Sequence, residues 1–197
     1  WQSPGQLGVF RFGGSQSNSA LTVQFTRPTV FRRTSAWTLG FWNYARWVGG
    51  SEESPSDLFI SAVGDQYCQM DMTLMNTNSS FRGDLYVGEP SPYGSSTRLR
   101  LGSGATLGQD TMLGSPSNRV FLRNNATLFY NSGAAVPAVL ARHVTGQGTV
   151  TASQGLHLHA VAVLEPQAIS GEGFGTLTVS ASALTARRPF QLRLRLC

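Results

Sequence analysis

Short runs in which apolar and polar side chains alternate recur along this chain, clearest in Leu21-Thr22-Val23-Gln24-Phe25 and Arg98-Leu99-Arg100-Leu101. A side-chain period of two is that of a strand with one face buried and one in water. The same reading covers Leu58 to Val63, Tyr67 to Met75, Leu85 to Val87, Thr127 to Tyr130 and Val136 to Leu140. Towards the end it adds Leu156 to Leu164, Thr176 to Ala181 and Phe190 to Leu196. Clusters of Gly, Pro, Ser and Asn separate these runs and supply turns. One segment is ambiguous: in Thr34 to Val48, Trp37, Phe41, Tyr44 and Val48 share a helical face, yet aromatics suit strands equally.

The chain is therefore expected to be all-β with minor short helices. Long irregular connections such as Gly102 to Asn118 favour Greek-key over meander connectivity, so the expected architecture is an eight-stranded antiparallel jelly-roll sandwich. No internal repeat is visible, and the Ser/Gly-rich stretch Gly94 to Ser117 reads as decorated loop. At 197 residues, a single domain spanning 1–197 is expected.

Composition narrows the functional classes. Only 13% of residues are charged, and all 15 cations are arginine, giving a net charge of +5 without a single lysine. Arginine makes planar bidentate contacts that suit interfaces and phosphates, while a scattered, mild positive balance permits nucleic-acid contact without demanding it. The two cysteines, Cys68 and Cys197, cannot build a disulfide framework, and a reducing compartment is the simpler expectation. No stretch is long and apolar enough for a membrane-spanning helix, and Trp1 to Ala20 lacks the layout of a signal peptide.

Several constellations could carry chemistry. His157-Leu158-His159 lies in an alternating run that would aim both imidazoles from one face, and Glu165 shares that parity if the strand continues. Such a set offers three ligands to a transition metal and partly resembles the metal motif of cupins, against the plainer reading of two strand histidines at an interface. There is no G-x-S-x-G elbow and no phosphate-cradling glycine motif. Arg82-Gly83-Asp84 spells an integrin-recognition tripeptide, at a place where a turn would itself need glycine. Trp37, Phe41, Trp42, Tyr44 and Trp47 surround Arg46, an interleaving that could stack bases or fill a core.

Tyr67 to Asn78, followed by Phe81-Arg82-Gly83-Asp84-Leu85-Tyr86-Val87 and Pro90, resembles the central strand pair of picornavirus-like capsid proteins. Gly155 to Pro166 and Thr176 to Leu196, including Ala186-Arg187-Arg188-Pro189-Phe190, resemble the last two strands of that family. The small coat protein of plant comovirus-like viruses is most similar in length and order. The resemblance implies a viral-capsid-type jelly roll acting as a structural, non-enzymatic subunit of a non-enveloped icosahedral shell, without metal or cofactor. Its partners would be companion coat proteins, genomic single-stranded RNA through non-specific contacts, and a host receptor or vector, with no membrane insertion. Its location would be the virion, and the host cytoplasm during assembly. On this reading Arg32, Arg33, Arg187 and Arg188 are candidates for RNA or interface contacts, and His143, His157 and His159 for a pH-sensitive interface. A lectin-like jelly-roll binding module and a cupin-type metal-dependent enzyme are the alternatives.

Overall fold

In the computed structural model the alternating runs do become strands, but every one of them pairs in parallel with its neighbours. The structure describes residues 8–12, 20–34, 37–90, 94–102, 109–123, 125–130, 137–167, 175–187 and 191–192. The chain winds through seven coils. The first carries β1 (Gly8–Phe12), β2 (Thr22–Phe25) and β3 (Thr29–Arg33). The second carries β4 (Trp37–Asn43), β5 (Arg46–Gly49) and β6 (Leu58–Ala62). Two strands each define the third, β7 (Cys68–Leu74) and β8 (Leu85–Val87), and the fourth, β9 (Ser96–Leu101) and β10 (Val120–Leu122). Three strands return in the fifth, β11 (Ala126–Tyr130), β12 (Ala138–Leu140) and β13 (His143–Gly146), and in the sixth, β14 (Thr149–Ala152), β15 (Leu156–Leu158) and β16 (Val163–Pro166). The seventh holds β17 (Thr178–Ala181), β18 (Leu184–Ala186) and β19 (Gln191–Leu192).

The first strand of each coil joins a seven-stranded sheet, and the last strand of each coil joins a second one. A third face is built by β2–β5 at one end and β12–β15–β18 at the other. This is a β-solenoid, and the expected antiparallel jelly roll is wrong. The reason lies in what alternation encodes: it specifies that one strand face is buried, and it is silent on whether the neighbouring strand runs with or against it. Thr34 to Val48 resolves as the two strands β4 and β5, and Leu156 to Leu164 breaks into β15 and β16. Phe190 to Leu196 lies mostly outside the described residues.

Each coil contributes side chains to continuous inward ladders. Met72, Leu99, Leu128 and Val150 are in register along the first sheet, and all four are fully buried. Leu58, Leu85, Val120, Val144 and Leu164 form the equivalent ladder of the second sheet. Stacking like on like at the strand spacing of about 4.8 Å lets each apolar residue cover the one below, and each buried Leu or Val stabilises by about 1.5–3 kcal/mol. Where the first two coils need more volume, aromatics supply it: Phe31 stacks on Trp47 at 5.7 Å, and Phe25 meets the same indole edge-on at 5.1 Å.

The coils do form a repeat, although the sequence conceals it. Leu85 pairs with Val120, 35 residues on, whereas Val144 pairs with Leu164, only 20 residues on, so no fixed period exists to detect. Leu128→Ala is expected to lower the unfolding free energy by about 2–5 kcal/mol. Thr127→Ala, one residue earlier and facing outward, should change it by less than about 0.5 kcal/mol, with urea denaturation as the measurement.

Candidate functional site: a cleft where the third face is interrupted

Among the described residues the third face has no strand in coils three and four, and two connections run there instead. In coil three, residues 75–84 leave β7, turn through Asn76 and return to β8. The Asn76 side-chain amide donates to the Tyr44 carbonyl at 2.8 Å, its carbonyl oxygen accepts from Asn78 N–H at 3.0 Å, and this local bonding makes the turn. In coil four the connection between β9 and β10 is longer and carries a short 3-10 helix, Gln109–Leu113.

That helix is fastened to the solenoid by one arginine. Arg142, just before β13, is fully buried; its Nε donates to Asp110 Oδ2 at 3.0 Å, and Nη2 donates to the Asp110 carbonyl. Nη1 reaches the carbonyls of Leu113 at 3.3 Å and of Ser115 and Asn118 at 3.4 Å, so one guanidinium ties together the end of the helix and the turn after it. Tyr130, equally buried, donates its hydroxyl to Asp110 Oδ1 at 2.7 Å. Burial, and then the Asp110 carboxylate, hold the Tyr130 phenol well above its ordinary pKa near 10. Asn118 then links the two connections, donating to the carbonyls of Phe81 and Leu113 at 3.0 Å and accepting from Gly83 N–H at 3.1 Å.

Between these fixed walls lie two hollows, of about 600 and 730 Å³. The first is lined by Arg46, Thr77, Asn78, Ser79, Ser80 and Thr111, and the second by Glu52, Asp57, Asp84, Tyr86 and Arg119. Both include Arg82, Ser115 and Pro116, so they meet in one cleft. Its charges are paired within the wall: Arg82 with Glu52 at 3.3 Å and Arg119 with Asp84 at 2.6 Å. Arg46 Nε donates to the Asn78 carbonyl at 2.9 Å.

Two of the three carboxylates, Asp57 and Asp84, are committed to the scaffold, while Glu52 is exposed and meets Arg82. Asp57 Oδ1 accepts Asp84 N–H, and Asp84 Oδ1 accepts Arg119 N–H, both at 2.8 Å, so each coil's aspartate bonds the backbone of the next. Asp84 Oδ2 takes two further bonds from the Arg119 guanidinium. This disposes of the integrin tripeptide: Asp84 is engaged by Arg119 and Arg82 by Glu52, and Gly83 is glycine because a Cβ there would lie 2.3 Å from the Ser56 carbonyl oxygen at a φ of +152°. Tyr86 sits between Phe59 and Phe121 in a stack with 4.7 Å between rings. Its ring faces are used up in that stack, so only ring edges remain for a ligand. Burial and the charges of Asp57 and Asp84 raise the Tyr86 phenol pKa.

Arg46, Arg82 and Asp84 apart, the candidates from sequence lie elsewhere and do not converge. Arg32 forms a bidentate pair with Glu89 at 2.8 and 3.1 Å, with Ser61 also donating to that carboxylate. Arg33 is the neighbour on β3, Arg187 is exposed just past β18, and Arg188 lies outside the described residues. His143 bonds Glu165 at 3.0 Å, His157 bonds Thr185 Oγ1 at 2.9 Å, and His159 sits in a turn beyond β15. The strand ends at Leu158, so the two imidazoles share no strand face, and Glu165 belongs to His143 instead. Among the described residues no three His, Cys, Asp or Glu side chains gather around a common point. Of the aromatic segment, Tyr44 and Trp47 are buried and join the core side, Trp42 is exposed, and the side chains of Trp37 and Phe41 lie outside the described set.

The Arg142–Asp110 pair, 32 residues apart, gave no local signal. The long Gly94 to Ser117 stretch was the one visible pointer, since connections of that length are often functional. Among the described residues no helix is long and apolar enough to cross a membrane. No protein family, curated protein or solved structure matches this chain.

Replacing Arg142 by Met should cost about 3–5 kcal/mol, because Asp110 is left charged and unpaired, and limited proteolysis should then cut within 109–118. The raised Tyr130 pKa stabilises the fold fully below pH 10, and that contribution is lost as pH rises above the unfolded value. Thermal unfolding followed from pH 8 to 11 should therefore show a fall in melting temperature beginning at about pH 10 that is shallower in Tyr130→Phe.

Proposed function

We propose that this chain is a non-catalytic binding module whose cleft holds a segment of a polysaccharide. The observation that carries the reading is the continuity of the two hollows through Arg82, Ser115 and Pro116. An extended ligand can lie along such a cleft, and its lining is hydroxyl, amide, guanidinium and carboxylate in nearly every position. Three arginines and three acids in near balance suit a ligand with many hydroxyls and little charge. Paired ions are also pre-oriented, so binding costs little side-chain entropy. The fixed walls support the same reading, because Arg142 and Asn118 hold both connections before any ligand arrives.

A hydrolytic reading has less support. Glycoside hydrolysis needs a carboxyl that gives up a proton and a second that attacks or activates water, yet Asp84 has both oxygens engaged by Arg119. The proposed glycan chemistry is that of the lectin-like alternative from the sequence, placed on a solenoid. The shell-subunit expectation, with its coat-protein and RNA partners, drew its physical case from a jelly-roll wedge and is not carried forward.

Screening the full chain against immobilised polysaccharides, followed by calorimetry on the best binder, tests the proposal. Arg82→Ala should weaken binding by about tenfold, the loss of one charge-assisted hydrogen bond, while leaving the melting temperature nearly unchanged because its ion pair is exposed. No release of reducing ends should accompany binding. Failure to retain any polysaccharide, or equal affinity in Arg82→Ala, would end this reading.

A further inference from the structure

The outer face of the first sheet, away from the cleft, carries a different kind of surface. Two columns of side chains run along it in register: Gly40, Asp71, Arg98, Thr127, Thr149 and Thr178 form one, and Trp42, Thr73, Arg100, Phe129, Thr151 and Ser180 form the other. Asp71 is the one acidic residue among the described positions of these strands. Arg98 Nη1 and Arg100 Nη2 approach its Oδ2 together, at 3.4 and 3.3 Å. A single oxygen cannot satisfy two guanidiniums with five donors each, so the cluster keeps a net positive charge and spare donors.

Its geometry is also pre-set. The Arg100 guanidinium lies 4.9 Å over the Phe129 ring, which holds its plane and strips water from one side. Asp71 Oδ1 is shielded from solvent without a hydrogen-bond partner, so the two arginines alone compensate this carboxylate. Arg98 is half exposed and stands two residues before Arg100 on the same strand, so its fork meets the same Asp71 oxygen from the solvent side of the pair's more buried member. Trp42 is 39% exposed two strands away, and the threonine rows continue on the other side.

We propose that this face is a second binding surface, independent of the cleft, that recognises the carboxylate or sulfate groups of an acidic polysaccharide. Two planar forks match such oxygen pairs bidentately, and the hydroxyls of Thr127, Thr149, Thr151, Thr178 and Ser180 beside them match sugar hydroxyls. A nucleic acid is the poorer fit to this cluster, since Arg98 and Arg100 less Asp71 leave one excess positive charge, which neutralises few phosphates.

The full chain is passed over immobilised heparin, polygalacturonate, dextran and single-stranded poly(U) RNA, at low and at 0.15 M salt. Retention on heparin or polygalacturonate and not on dextran is expected, with an affinity loss of about tenfold or more in Arg98→Ala/Arg100→Ala. The sulfated and uronic columns separate the two anionic groups. Arg27→Ala/Arg187→Ala removes the same charge from exposed sites elsewhere and should cost less than about twofold. Arg98→Lys/Arg100→Lys retains charge but not the fork, and should fall between. Equal losses in the two alanine pairs, retention on neither acidic column, or stronger retention on poly(U) would overturn the proposal. Cleft binding of a neutral polymer, read through Arg82→Ala, stands or falls separately.

Discussion

The stacking of inward side chains in register is the interaction from which the remainder of this structure follows. Met72, Leu99, Leu128 and Val150 each sit on a coil that could not bury its own apolar face, and each is covered by the coil above and below. Parallel pairing is the consequence: only strands running the same way return to the same place after a full turn of the chain. Once the ladder exists, the outward residues are also placed in columns, which is why Phe59, Tyr86 and Phe121 meet face to face and why Arg98 and Arg100 converge on one aspartate. Surface patterns on this molecule are by-products of core register.

The ladder tolerates connections of any length between its strands, and function has room only in those connections. Coils three and four spend theirs on the walls of a cleft. What turns a long surface connection into a wall is a buried cation: Arg142 neutralises Asp110 and also takes up carbonyls of the 3-10 helix and the turn after it. A buried ion pair of this kind adds little net stability relative to an apolar pair, but it allows few alternative arrangements, and geometric uniqueness is what a binding site requires. Asp57 and Asp84 do related work at the next corner, each bonding the following coil's backbone, so carboxylates that could have been reactive are structural.

The sequence displayed its strands well and their partnership poorly. Leu58 to Val63, Tyr67 to Met75 and Thr127 to Tyr130 are strands in the structure because alternation at a period of two is a local property. The resemblance of Tyr67 to Pro90 to a capsid strand pair arose from the same local spacing, which a β7–connection–β8 passage in a solenoid reproduces without the antiparallel return. His157 and His159 share a face only if the alternating strand runs through both, and β15 ends at Leu158, which removes the metal triad. Arg82, by contrast, was noticed for the wrong tripeptide and proves to line the cleft, while Arg142 was invisible because nothing near it in the chain marks a buried cation.

What the sequence determined by itself is therefore the period of the chain: which side chains turn inward, where strands stop, and that glycine must occupy corners such as Gly83. Only the tertiary structure decided direction and neighbourhood, that is, parallel rather than antiparallel pairing, the joining of Asp110 to Arg142, and the gathering of Arg46, Arg82 and Arg119 along one cleft. The physical reason is that alternation is enforced by water against each residue separately, whereas pairing is enforced by contacts between residues 18 to 35 positions apart, whose spacing varies from coil to coil.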